Sequence, residues 1–210
     1  MIVGKGQAVS TGIAIGPMRF SAEKNLEAVK YEIDFVEQEL IRLHRAQEQA
    51  AVELEQIYNT ALHMVGEENA AIFQMQKMMI WDLDYQDLAI DNIKNKRYNA
   101  EYAVKLTADT VINMLDSLQN TYLRERRHDV RDISRRLIRI LQEDLHGTPE
   151  SFRPKKQNDA GYIIGSERIL PSEAMQLDTS KICAFVTNRG SPISHAAILA
   201  RNLGIPAVTN

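Results

Sequence analysis

An α/β domain interrupted by an inserted bundle of about four helices is the architecture that the 210-residue pattern predicts. Three observations lead there: glycine-broken apolar runs at the start, a long span almost free of glycine and proline, and a strand, loop, helix, strand order at the end. Residues 1–20 read as short strands joined by turns, because Gly4, Gly6, Gly12 and Gly16 divide the apolar runs around Ile2-Val3, Ala8-Val9 and Ile13-Ala14-Ile15. From residue 21 to residue 146 there is one glycine, Gly66, and no proline, so no strong breaker opposes helix. Within it, steps of seven from Leu26 and Val29 give Ile33, Leu40, Gln47, Leu54 and Ala61, and Val36, Leu43, Ala50, Ile57 and Met64. Eleven of these twelve positions are apolar, which predicts a helix of about 40 residues with a buried seam. Gly66 to Lys96 fits a pair of short helices. Val104, Ala108, Val111, Leu115, Leu118 and Tyr122 make a second seam, and Leu123, Val130, Ile133, Leu137 and Ile140 a third.

The helical pattern stops at His146-Gly147-Thr148-Pro149, and a segment bearing Pro154-Lys155-Lys156 reads as a linker or crossover. Beyond it come the strand-like Tyr162-Ile163-Ile164, a short helical piece after Pro171-Ser172-Glu173, the apolar run Ile182 to Val186, a polar loop, a helix from Ser194 to Leu203, and Ile205-Pro206-Ala207-Val208. That order is a βαβ unit with a parallel pair of strands. The opening strands have no partner nearby, so they are expected in this C-terminal sheet. Residues 1–20 and 147–210 then form one discontinuous α/β domain, and 21–146 form the inserted bundle.

Composition narrows the function. With 44 % apolar and 25 % charged residues the chain is an ordinary globular one, and 25 Lys+Arg against 28 Asp+Glu leave a charge of −3, with no overall field for nucleic acid. No apolar run approaches a membrane span, and the start carries no leader signal, so a cytoplasmic location is expected. Cys183 is the single cysteine and sits in a strand-like run, where burial is the simpler reading. His44, His63, His128 and His146 have no metal-ligand spacing.

The chemistry concentrates at one loop. Ser194 is a good N-cap, Gly204 and Pro206 form a stop, and His195 falls in the first turn of the helix between them. Unpaired N–H groups and the macrodipole at that end favour an anion and disfavour imidazolium, leaving a neutral imidazole beside an anion cradle, suited to take a phosphoryl group. The same residues also read as a helix cap beside a surface histidine, and spacing alone leaves both open. Arg126 occupies a seam position where arginine is unexpected, to be read either as a group for a phosphoryl or partner or as a snorkelling side chain. Residues 124–139 hold seven arginines, which read as a solvated face with Asp132 pairing Arg135 or Arg136. Ile72, Phe73, Met75, Met78, Met79, Ile80 and Trp81 are too many apolar residues for one narrow stripe, so some should stay exposed.

Ser194-His195-Ala196-Ala197-Ile198-Leu199-Ala200-Arg201 with Leu203-Gly204-Ile205-Pro206-Ala207-Val208 closely resembles the phosphohistidine segment of phosphoenolpyruvate-utilising enzymes. The helical insertion ahead of it, with Glu67-Glu68 before Ala71-Ile72-Phe73 and Tyr122-Leu123-Arg124-Glu125-Arg126 before Asp129-Val130-Arg131-Asp132-Ile133, resembles enzyme I of the bacterial sugar phosphotransferase system. The resemblance implies that His195 takes the phosphoryl group of phosphoenolpyruvate and hands it to the phosphocarrier HPr. Gly190, Ser191, Ser194 and Arg126 would steady it, and Glu67, Glu68, Ile72, Met78, Met79, Tyr122, Arg126 and Arg131 would form the HPr dock. It implies that 1–20 with 147–210 is the phosphohistidine swivelling domain, truncated at its C-terminal end, and that 21–146 binds HPr. The phosphoenolpyruvate barrel with its Mg²⁺ and the family's dimer contacts would be missing, leaving a fragment that is monomeric, metal-free and idle with phosphoenolpyruvate alone. The family pattern has two glycines and Thr-Ser-His or Thr-Cys-His, where this chain has Gly190-Ser191 and, after Pro192, Ile193-Ser194-His195, so one hydroxyl is gone. A non-catalytic HPr-docking module, a diverged paralogue and a dikinase-like swivelling domain therefore stand as alternatives.

Overall fold

The computed structural model describes residues 4–21, 28–146, 161–169, 177–190 and 194–210, apart from a few side chains that include those of His195 and Ala196. The linker at 147–160 and the helical piece expected after Pro171 lie outside them. Strands β1 (Gln7–Ser10) and β2 (Met18–Ser21) precede six helices: α1 (Val36–Val65), α2 (Glu67–Ile80), α3 (Leu83–Lys94), α4 (Ala100–Ser117), α5 (Thr121–Glu125) and α6 (Arg127–His146). Then follow β3 (Tyr162–Ser166), a 3₁₀ turn at Thr179–Lys181, β4 (Ile182–Thr187), α7 (His195–Asn202) and β5 (Ala207–Thr209). Among the described residues, 28–59 and 69–146 group as one compact unit, and 4–21, 60–68, 161–169, 177–190 and 194–210 as another.

The second unit is a five-stranded sheet in the order β1-β5-β4-β3-β2. β5, β4, β3 and β2 run parallel, and β1 closes the β5 edge antiparallel. The opening strands thus do join the C-terminal sheet, one at each edge. The βαβ reading holds as well, since β4 and β5 pair in parallel and α7 connects them. Leu199 and Ala200 of α7 are buried with Ile164, Phe185, Ile205 and Ala207, and Met64 and Val65 from the α1–α2 turn pack on the same core. Gly66, at φ 81°, takes the left-handed conformation that ends α1 and lets α2 start.

In the helical unit the core is Leu43, Ala50, Leu54, Phe73, Ile80, Ile93, Val104, Val130, Ile133 and Leu137, which includes positions from all three predicted seams. Their helical limits differ from expectation. α1 starts at Val36 rather than near Leu26: Glu32 bridges Tyr98, Ile33 N–H goes to Arg97 O at 2.9 Å, and Asn99 N–H goes to Tyr31 O at 3.2 Å, so this backbone is spent on the α3–α4 connection. The second seam stops at Ser117, where Leu118 turns extended at ψ 144° and Asn120 caps α5 by accepting Tyr122 N–H at 2.9 Å and Leu123 N–H at 3.3 Å. Leu123 is consequently an exposed residue of α5, not part of the α6 seam.

The arginine run is not a solvated face. Arg136 is buried and ion-paired to Glu53, Arg139 pairs with Glu53 and Glu143, and Asp132 is buried where it accepts Gln76 Nε2 at 3.2 Å. Burial pushes the Glu53 carboxyl up, but the two guanidinium groups outweigh it and hold it below the ordinary value. Arg42 makes a second clamp, donating to Glu39, Glu101 and Leu141 O and so tying α1 to α4 and α6.

Candidate functional site

The loop after β4 leaves the carboxyl ends of the parallel strands, where ligands of open α/β sheets bind. Asn188 N–H donates to Ser166 O at 3.0 Å and Arg189 N–H to Glu167 O at 2.8 Å, while the Glu167 carboxylate takes Asn188 Nδ2 at 2.9 Å and Arg189 Nε at 2.8 Å. Gly190 rests on a buried hydroxyl pair, Thr187 Oγ1 donating to Thr209 Oγ1 at 3.1 Å. Ser191, Pro192 and Ile193 lie outside the described residues.

Ser194 is the N-cap of α7, its Oγ accepting Ala197 N–H at 3.3 Å and its carbonyl accepting Ile198 N–H at 2.9 Å. His195 is the first residue of the helix; its side chain is not among those described. With Ala197 N–H taken by the cap, the helix ladder offers no acceptor for the N–H groups of His195 and Ala196, and the helix dipole adds partial positive charge there. Gly204, at φ 64°, follows the last turn. This end of α7 can therefore hold an anion at the head of a short rigid helix.

The helical unit carries the other candidates. Arg126 follows α5, its guanidinium 4.9 Å from the centre of the Tyr122 ring, donating to Tyr122 Oη and Met75 Sδ and lying 3.9 Å from Asp129 Oδ2. It is thus gathered with Tyr122 and α2 rather than set in a helical seam. Tyr122 and Met78 are exposed, and Ile72, Met79 and Arg131 half-buried. Glu67 and Glu68 are exposed in the first turn of α2 and group with the sheet-bearing unit. Under Arg126, Gln76 spans two buried carboxylates, with Nε2 3.3 Å from Asp129 Oδ1 and 3.2 Å from Asp132 Oδ2. The sequence singled out neither Gln76 nor the threonine pair; both are contacts across 22 residues or more.

Among the described residues no three of His, Cys, Asp or Glu are grouped so as to hold a metal ion, and no helix is long and apolar enough to cross a membrane.

Residues 5–126 match the family described as PEP-utilising enzyme, N-terminal, and residues 158–210 match the mobile domain of PEP-utilising enzymes, PEP being phosphoenolpyruvate. The chain belongs to the PEP-utilising enzymes. Among its relatives in that family, the phosphoenolpyruvate-protein phosphotransferase of Mycoplasma capricolum subsp. capricolum is 35 % identical over 205 residues, covering 97 % of this chain and 35 % of the relative. That of Listeria monocytogenes serovar 1/2a is 34 % identical over 204 residues, with the same coverage. The chain thus spans about a third of the length of these relatives. A solution structure of Enzyme I superposes with a TM-score of 0.73 at 29 % identity, over 98 % of this chain and 81 % of that one. The N-terminal domain of Enzyme 1 - Nitrogen shares the fold at a TM-score of 0.66 and 24 % identity, over 97 % and 82 %.

Proposed function

We propose that this PEP-utilising chain carries phosphate covalently on His195 between phosphoenolpyruvate and the phosphocarrier HPr. The observation that carries the reading is the placement of Ser194 and His195 as cap and first residue of α7 at the carboxyl end of β4, in a chain whose relatives are named phosphotransferases. In the first step an imidazole nitrogen lone pair attacks phosphorus, the bond from phosphorus to the enol oxygen breaks, and the enolate takes a proton to become pyruvate. In the second, a nitrogen of the HPr histidine attacks the same phosphorus, and the electrons of the broken P–N bond return to His195. The helix end disfavours imidazolium and favours the phosphoryl charge, with Gly190, Ser191 and Ser194 offering backbone N–H groups and hydroxyls.

HPr would dock on the helical unit through Ile72, Met78, Met79, Tyr122 and Arg131, with Glu67 and Glu68 as negative charges for a basic partner. Arg126 pairs with HPr or with the phosphoryl in transit. Phosphoenolpyruvate and Mg²⁺ belong to a further domain of the full-length enzyme in this reading, together with its homodimer contacts, and the work is cytoplasmic. The helical insertion and the names of the relatives favour enzyme I over a dikinase-like swivelling domain.

The test is incubation of the full-length enzyme with phosphoenolpyruvate, Mg²⁺ and HPr. An acid-labile, base-stable phosphate that disappears in His195→Ala is expected. A wild-type enzyme that binds HPr yet never takes the label would overturn the catalytic reading and leave a docking module, consistent with Ile193 standing where the family has a hydroxyl.

A further inference from the structure

Arg126 differs from Arg42, Arg127, Arg136 and Arg139, each of which holds a carboxylate oxygen of Glu101, Asp116 or Glu53 at 2.5 or 2.6 Å. Arg126 donates to a phenol and a thioether, Tyr122 Oη and Met75 Sδ, and its ion-pair partner Asp129 Oδ2 stands 3.9 Å away. These are weak acceptors and a distant charge, so most of the positive charge stays uncompensated on a side chain that is 20 % exposed. The carboxylate is held back by the buried Gln76 of α2, whose Nε2 donates to Asp129 Oδ1 at 3.3 Å and to Asp132 Oδ2 at 3.2 Å. Gln76 Oε1 has no hydrogen-bond partner among the described residues, so the amide is oriented by the two acids it donates to. The backbone holds the corner between α5 and α6 as well, since Asp129 N–H and Val130 N–H donate to Arg126 O at 3.0 and 3.1 Å.

We propose that Asp129, tethered by Gln76, is a positioning residue that sets how much positive charge Arg126 offers to the phosphoryl group of a phosphorylated carrier. The inference rests on the phosphoryl-transfer reading for its ligand, and on the bundle alone for the coupling between the two side chains. A pair as close as those of Arg136 and Arg139 would commit the guanidinium to its own bundle. At 3.9 Å the carboxylate steadies Arg126 and leaves its N–H groups able to turn to phosphate oxygens. The opposing charge can also be removed by a proton. Burial pushes the Asp129 carboxyl up to about 6, against the pull of Gln76 and Arg126. The charged groups acting on it are Arg126 and Glu125 at the end of α5 and Asp132 on α6, and Glu125 Oε2 lies 3.8 Å from His128 Nε2. Above that pH the carboxylate opposes an incoming anion and draws the guanidinium inward; below it the neutral acid does neither. Asp129 thus acts through Arg126 without touching the ligand.

The test compares phosphoryl uptake from phosphorylated HPr in wild type and Asp129→Asn across pH. Groups on the donor and His195 titrate in both reactions, so the ratio of the two KM values isolates position 129. Wild-type KM over Asp129→Asn KM should be close to one at about pH 5 and rise to about threefold to tenfold at about pH 8, as for a partly buried charge pair. Gln76→Met removes a donor that holds Asp129 down, so wild-type-like behaviour should set in at higher pH. In an Arg126→Gln background, adding Asp129→Asn should leave KM unchanged. Unphosphorylated HPr should bind with no such pH-dependent ratio; if it shows one, Arg126 meets the carrier and not its phosphoryl group, and the proposal falls. The second readout needs no transfer: the Arg126 Nε–H resonance of the whole chain should shift with a midpoint near 6 in wild type and stay fixed in Asp129→Asn. A KM ratio flat with pH overturns the proposal. If the wild type takes no phosphoryl group, the transfer reading fails and the resonance alone decides the coupling: no shift through that pH sinks it, a shift lost in Asp129→Asn upholds it. Should Gln76→Met not fold, the Asp129→Asn and Arg126→Gln comparisons decide by themselves.

Discussion

Burial pushes the Asp129 carboxyl from an ordinary 3.8 up to about 6, with Gln76 and Arg126 pulling it down and Asp132 and Glu125 adding to the rise. The folded bundle therefore holds this proton more tightly than the unfolded chain does. The stability it lends is complete below pH 3.8 and is lost as the pH climbs through about 6. Asp129→Asn supplies a neutral group that still accepts from Gln76. Relative to wild type, its stability should rise by on the order of 2 to 3 kcal/mol between about pH 4 and about pH 8, read from urea midpoints. A difference that stays flat with pH would remove burial as the cause. The sequence gives no hint of this group, because Gln76 and Asp129 are 53 residues apart and meet only through helix packing. Ser194 is the opposite case. Its cap partner Ala197 lies three residues on, so the bond is written in the local pattern.

At the scale of elements, local signals gave the ends of α7 and heptad spacing misplaced the start of α1. Ser194 and Gly204 bracket α7 as the cap and stop rules predict, since both rules concern groups within one turn. Leu26, Val29 and Ile33 continue the α1 spacing, yet Ile33 is buried without being helical and Val29 is exposed. An apolar residue every three or four positions also suits a segment laid over the α3–α4 connection. The competition was settled by Tyr31, Ile33, Arg97 and Asn99, whose backbone bonds span more than 60 residues. The α4 to α6 stretch erred likewise, where the Asn120 cap restarts a helix that the apolar seam carried straight through. The cap of α7 has its own consequence. Ser194→Ala removes the acceptor for Ala197 N–H and should cost about 1 kcal/mol locally, seen as faster amide exchange confined to the first turn of α7, with Ser194→Asp restoring it. Exchange that quickens equally in β4 would mean that the cap supports the whole sheet instead.

For the whole molecule the decisive feature is that the first 21 residues supply both edges of the sheet, β1 beside β5 and β2 beside β3. That these strands must seek a distant partner was legible, because a helical block follows them directly; their separation to opposite edges was not, because strand order leaves no trace in local spacing. Their role is more than edge cover. Val9 packs on the core of the sheet, Arg201 of α7 donates to Val9 O at 3.2 Å, and Ile163 N–H donates to Pro17 O at 2.9 Å. Removing residues 1–21 leaves β3, β4 and β5 with two unpaired edges and takes part of the core from beneath α7, and a three-stranded remnant with one helix is at the lower limit of independent stability. Val104, Val130, Ile133 and Leu137, buried in α4 and α6, belong to the other compact unit. The truncated chain should keep most of its far-UV helical signal while amide protection in β3, β4 and β5 collapses and the protein begins to self-associate. Protection of β4 at the wild-type level would mean that the parallel core stands without its edges, and the opening strands would then be cover rather than structure.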